Sequence, residues 1–143
     1  MPFSHHIFKV NSHSADLVPF AARMSSSLTG VPGWLDEAFY PANCINGDTA
    51  GNMCHSDFEN APWLAIDFGK EVDVQMVTIF NRKDCCGDRF RNAEVRVTDT
   101  LPTDGTTMFA GGELLNTYDG PAANGEEIQI KGEKDLRGRY PST

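Results

Sequence analysis

Val72-Asp73-Val74-Gln75-Met76-Val77-Thr78-Ile79-Phe80 decides the fold class of this 143-residue chain. The run is β-branched and apolar at both odd and even positions, as in a central strand of a two-sheet sandwich. Working outward, Trp63-Leu64-Ala65-Ile66-Asp67-Phe68 is short and apolar and is closed by Gly69. Ala93, Val95 and Val97 alternate with Glu94, Arg96 and Thr98, the period of a half-buried strand. Ile128 and Ile130 repeat the device late in the chain. Turns rich in Gly, Pro, Asn and Asp separate these runs, and no amphipathic helix longer than three turns can be read. The fold class is therefore all-β, most simply a two-sheet β-sandwich, built as one domain without internal repeats.

The segment directly after the central run carries the chemistry. Asn81-Arg82-Lys83-Asp84-Cys85-Cys86-Gly87-Asp88-Arg89 puts two guanidinium groups, one carboxylate between them and two adjacent cysteines into nine residues. Arg82 and Arg89 are planar donors suited to oxygen ligands, and Asp84 can hold one of them in place. Consecutive Cα atoms lie about 3.8 Å apart, below the usual span of a disulfide, so a Cys85–Cys86 bond would form a rigid ring with a small apolar sulfur face. Fixed donors beside a hard apolar wall suit a neutral polyhydroxyl ligand such as a sugar.

A formal net charge of −8 argues against nucleic acid, which needs a basic footprint. Arg82, Lys83, Arg89, Arg91 and Arg96 form a local exception, better matched to a small oxygen-rich ligand than to a polyanion. No stretch approaches a membrane span in length. Residues 1–15 read as a polar leader without periodicity and without the apolar centre of a signal peptide, so the domain is expected at 16–143. Four cysteines in a small acidic domain lean toward an oxidising compartment. Trp34, Phe39 and Tyr40 are expected to anchor the turn-rich stretch 30–41 to the core. Trp34, Trp63 and Phe68 read as core aromatics rather than a ligand platform.

His55 completes the pattern, because His55, Arg82, Asp84 and Arg89 together read H-x26-R-x-D-x4-R. With the block Asn81–Arg89, this pattern resembles the F-type lectin (fucolectin) family. The resemblance extends through Asp16–Ser27, the loop Asn43–Asp48, the block Pro62–Gly69 and Gly138-Arg139-Tyr140. It implies an eight-stranded, jelly-roll-like β-sandwich of the F-type lectin or discoidin-like kind, with a pocket for L-fucose among the loops at one end. His55, Arg82 and Arg89 would then bind fucose oxygens, Asp84 would orient an arginine, and a vicinal Cys85–Cys86 disulfide would pack against the sugar ring. Phe58, Phe39 and Trp34 are candidates for the socket of the fucose methyl group. A lectin of this kind is expected to be secreted and to read fucosylated glycans in innate immunity or in cell adhesion, and a weak single site is expected to gain by avidity in a homo-oligomer.

Three features depart from the family pattern. The family continues past Tyr140-Pro141-Ser142-Thr143 into a last strand bearing a Cys-Glu pair, and Pro141 is a poor strand residue. That strand is expected to be missing, replaced, or supplied by the N-terminal leader or by another chain. The resemblance further implies a structural Ca²⁺ on Asn43, Asn46 and Asp48, although the family's terminal glutamate is absent. Cys44 and Cys54 have lost the long-range partner and could pair with each other, the alternative being two free thiols. Two other functions compete with a lectin. A discoidin-like adhesion domain would bind protein or lipid and has no need of the His-Arg-Arg set. A glycoside hydrolase needs a carboxylic acid of raised pKa, whereas arginines beside Asp84 would lower it.

Overall fold

The computed structural model describes residues 4–12, 17–45, 53–58, 62–99 and 112–142. Among them the chain forms nine strands: β1 Ser4–Asn11, β2 Ala21–Met24, β3 Cys54–His55, β4 Leu64–Asp67, β5 Val72–Asn81, β6 Ala93–Thr98, β7 Glu113–Tyr118, β8 Glu127–Gly138 and β9 Tyr140–Ser142. Helical structure in these residues is confined to 3-10 turns at Asp36–Phe39, Pro41–Cys44 and Gly87–Arg89. The strands make two antiparallel sheets, ordered β3-β1-β5-β8 and β2-β4-β9-β6-β7. This is the expected all-β sandwich.

β5 lies inside its sheet, between β1 and β8, as its sequence foretold. Val72 and Val74 point to the core, and so do Val77 and Ile79, so the buried parity switches once along the strand. The switch falls where the pairing with β8 shifts between Val74 and Met76, an irregularity that lets one strand change phase without leaving the sheet. The outer face is less apolar than the sequence suggested: Asp73 is exposed, and Gln75, Met76 and Phe80 are half-buried. Leu64 and Ile66 of β4, Val95 and Val97 of β6, and Ile128, Ile130 and Leu136 of β8 join β5 in one core. Fully burying each such side chain contributes roughly 1.5–3 kcal/mol.

Two expectations about the chain ends are corrected. Ser4–Asn11, read as part of a leader outside the domain, is a central strand paired with β3 on one side and β5 on the other. The C-terminal stretch is also a strand, since β9 lies between β4 and β6 with Pro141 fully buried opposite Val97. Proline is accommodated because β9 pairs with β4 only at Ala65↔Ser142, so the ladder on that side asks no donor of Pro141.

Candidate functional site

β3 and the end of β5 present the predicted residues. His55 is the second residue of β3 and is 3% exposed. Its strand is fixed from several sides. Cys54 is disulfide-bonded to Cys44, Leu28 N–H donates to the His55 carbonyl at 2.9 Å, and Asp57 N–H donates to Ser26 Oγ at 2.9 Å. Ser25 Oγ likewise accepts from Trp63 N–H at 3.0 Å. Within the small polar run 25–27, Ser26 thus braces the histidine segment and Ser25 the start of β4, roles its composition alone did not announce.

The imidazole has a defined tautomer. Nδ1 lies 2.6 Å from the Ser56 carbonyl oxygen, which can only accept, so Nδ1 carries the proton and Nε2 offers a lone pair. Nε2 is 3.5 Å from Arg89 Nη1, at the long limit of a hydrogen bond. Burial, and then the positive charges of Arg82 and Arg89, lower the His55 pKa below 6.5; the bond to Ser56 and the charge of Asp57 oppose them. At neutral pH this is therefore an uncharged acceptor facing two cations.

Arg82 is clamped by Asp84, with Nε donating to Oδ1 at 2.6 Å and Nη2 to Oδ2 at 3.0 Å. The hydrogen bond from Arg82 holds the Asp84 carboxyl down at about 2. That assigns Asp84 to Arg82 rather than Arg89, through Nε and Nη2 and not Nη1. Arg89 lies over the ring of Phe58, 5.9 Å from its centroid, and Phe58 is itself 6.4 Å from the His55 ring. Phe39 is buried and meets His55 edge-on at 5.7 Å.

Cys85 and Cys86 are disulfide-bonded to each other, with Cα atoms 3.7 Å apart and Cys86 in the left-handed region at φ 64°. Both are half-buried on the loop between the two arginines. Asn81 holds this loop, a role the sequence reading missed. It is 1% exposed, and its Nδ2 donates at 2.9 Å to both the Gly87 and the Ala123 carbonyls. Gly87 N–H donates to Asn124 Oδ1 at 2.8 Å, and a Cβ on Gly87 would come within 2.7 Å of the Asn124 backbone nitrogen. Glycine is required there by close approach. The signal for Asn81 was available: an amide ending an apolar strand is costly to bury unless it is paired.

The other predicted residues fare differently. Trp63 and Phe68 are core, as expected, but Trp34 is 61% exposed and Tyr40 44%, so neither is the core anchor that was expected; only Phe39 of that group is buried. Cys44 and Cys54 pair, so the free-thiol alternative is discarded. For calcium, Asn46 and Asp48 lie outside the described residues. Asn43 spends its Nδ2 on the Glu37 and Met53 carbonyls, at 2.8 and 3.2 Å, which leaves Oδ1 as its oxygen for an ion. Among the described residues, no group of three His, Cys, Asp or Glu side chains is arranged to hold a metal. One amide oxygen is compatible with calcium but does not by itself make a site.

A family model described as NedA-like, galactose-binding domain, of the F5/F8 type C group, matches residues 43–140. The chain belongs to this family. Among the relatives of this galactose-binding-domain protein, a fucolectin of Anguilla anguilla is 31% identical over 94 residues, covering 66% of this chain and 54% of the relative. A pentraxin fusion protein of Xenopus laevis is 31% identical over 90 residues, covering 63% of this chain and 20% of the relative. The chain thus spans about half the length of the first and a fifth of the second. The fold is shared with an f-lectin (fucolectin) from Morone saxatilis (striped bass) serum. The TM-score is 0.70 at 22% identity, over 85% of this chain and 40% of that one. The F-type lectin resemblance read from the His55-to-Arg89 spacing is therefore borne out. Among the described residues, no helix is long and apolar enough to cross a membrane.

Proposed function

We propose that this protein is a lectin for terminal L-fucose and that His55, Arg82 and Arg89 are its hydrogen-bonding set. The observation that carries the reading is the pairing of a buried lone-pair acceptor, His55 Nε2, with Arg89 at 3.5 Å. An anion would satisfy the arginines but be repelled by the lone pair. A hydroxyl can donate to Nε2 and accept from Arg89 at once, which favours a neutral polyol. The Asp84 carboxylate also cancels the charge of Arg82, so the site is less cationic than its two guanidiniums imply.

Each charge-assisted hydrogen bond contributes about 1.5–3 kcal/mol, offset by desolvation and ordering. Affinity for a single sugar then falls between roughly millimolar and micromolar, about −4 to −8 kcal/mol. Phe58, exposed beside both His55 and Arg89, is the best placed of the three aromatic candidates to receive the fucose methyl, a contact worth on the order of 1 kcal/mol. The half-buried Cys85–Cys86 disulfide supplies an apolar face on the same loop. The names of the relatives support the sugar class, since fucolectins recur among them.

The protein acts by recognition, not by cleavage. An Asp84 carboxyl at about 2 stays ionised at neutral pH and cannot serve as a general acid. Two disulfides favour an extracellular setting. Weak single sites favour a homo-oligomer that gains by avidity, in glycan-based defence or adhesion. A structural calcium on Asn43, Asn46 and Asp48 belongs to the same proposal. The deciding experiment is titration calorimetry with L-fucose on the wild type and on Arg89→Ala. Binding by the wild type and near-complete loss in the variant are expected. An unchanged heat of binding in the variant would remove Arg89 from the site. A wild type that ignores fucose but binds protein or lipid would be a discoidin-like adhesion domain instead.

A further inference from the structure

Trp34 and Leu35 stand out on the surface beside this site, 61% and 77% exposed. Large apolar side chains left in water on an ordered loop call for an occupant. This loop is ordered by its own bonds. Trp34 N–H donates to the Val31 carbonyl at 3.1 Å, Ala38 N–H to the Leu35 carbonyl at 3.1 Å, and Gly30 N–H to Asp36 Oδ1 at 3.0 Å. The indole is also linked to His55 through one intervening ring. Its ring lies 6.0 Å from Phe39, and Phe39 lies 5.7 Å from His55, so two ring-to-ring steps separate Trp34 from the imidazole.

Resting on the fucose reading, we propose that Trp34 is the platform for the sugar residue next to the fucose, and that this neighbour is uncharged. An indole is a broad, rigid apolar face with little conformational entropy to lose, and such a face suits the C–H side of a pyranose ring. Two ring steps, of 6.0 and 5.7 Å between centroids, are a distance that a sugar linked to the fucose can reach. The charge follows from the flank: Asp36 and Glu37, both exposed, come directly after Leu35, and the whole chain carries −8. A sialic acid or sulfate at that position would face like charge, whereas neutral hydroxyls would find acceptors. His55 and the arginines thus read the terminal sugar, and Trp34 discriminates among the glycans that carry it.

The test compares methyl α-L-fucoside with neutral fucosylated trisaccharides and their sialylated counterparts, by calorimetry, on the wild type, Trp34→Ala and Trp34→Phe. The wild type should bind neutral trisaccharides more tightly than the monosaccharide. Trp34→Ala should lose about fivefold of trisaccharide affinity while the methyl fucoside changes less than about twofold. Trp34→Phe should keep part of the gain. Because Trp63 is buried, tryptophan emission should respond to trisaccharide more than to monosaccharide. A trisaccharide advantage that survives Trp34→Ala, or a preference for the sialylated forms, overturns the inference while leaving the fucose site intact. A wild type that binds no methyl fucoside overturns the fucose reading itself, and this inference with it.

Discussion

Replacing Asn81 by Ala tests whether the loop bearing both arginines is held from beneath. Two donor bonds of 2.9 Å are lost, to the Gly87 and Ala123 carbonyls. Neither carbonyl is orphaned, because Gly87 O still accepts from Phe90 N–H at 3.1 Å and Ala123 O from Glu126 N–H at 3.2 Å. The full penalty for unsatisfied buried acceptors therefore does not apply. Two neutral bonds at about 1 kcal/mol each, plus a small cavity, give a loss of about 2–3 kcal/mol. In urea this should lower the midpoint by about 1 M with little change in slope. Fucose affinity, measured without denaturant where the variant is still folded, should also weaken. Gly87 is tied to Asn81, and Arg89 follows it by two residues in the same 3-10 turn. Asn81→Asp should do worse, since a carboxylate would aim oxygen at two oxygens. A variant within about 0.5 kcal/mol of wild type and unchanged in fucose binding would refute the support role.

Two further outcomes are expected. Because the folded His55 pKa lies below 6.5, the unfolded chain takes up the proton first. The stability that neutral His55 contributes is therefore complete above 6.5 and is lost as pH falls from there toward the folded value. Fucose affinity should stay flat between about pH 7 and 8 and weaken only as pH falls through the folded value, below 6.5, where Nε2 loses its lone pair. Calorimetry showing undiminished affinity with His55 protonated, as followed by its NMR shift, would exclude it as an acceptor. Calcium near 100 times its dissociation constant should stabilise the fold by about 2.7 kcal/mol, raising the melting temperature by several degrees, and chelator should reverse this. Fucose affinity should change little. A melting temperature indifferent to both calcium and chelator would remove Asn43, Asn46 and Asp48 as ligands.

What could be read from the sequence followed the strength of local patterning. β4, β5 and β6 announce themselves because their own side chains pack the core. The site spacing was legible because His55, Arg82, Asp84 and Arg89 are chemically unlike their surroundings. β1 was not, since its place depends on backbone pairing with β3 and β5 rather than on a period within the segment. β9 was obscured by Pro141, whose donor the sheet happens not to need. Trp34 was misjudged as core because an indole has the same composition whether a domain or a ligand covers it. Asn81 was overlooked inside a motif whose charged members drew the attention.

The register of β1 ties two distant parts of the chain together. Ser4 stands opposite His55, and the next residue, His5, stands opposite Asn81, the last residue before Arg82. The imidazole on β3 and the guanidinium groups after β5 are thus zipped to adjacent positions of a single N-terminal ribbon. Docking of that ribbon and occupancy of the pocket become linked equilibria, so saturating sugar should slow amide exchange along β1. A fusion partner that pries the first few residues loose would weaken recognition without touching any residue that meets the ligand.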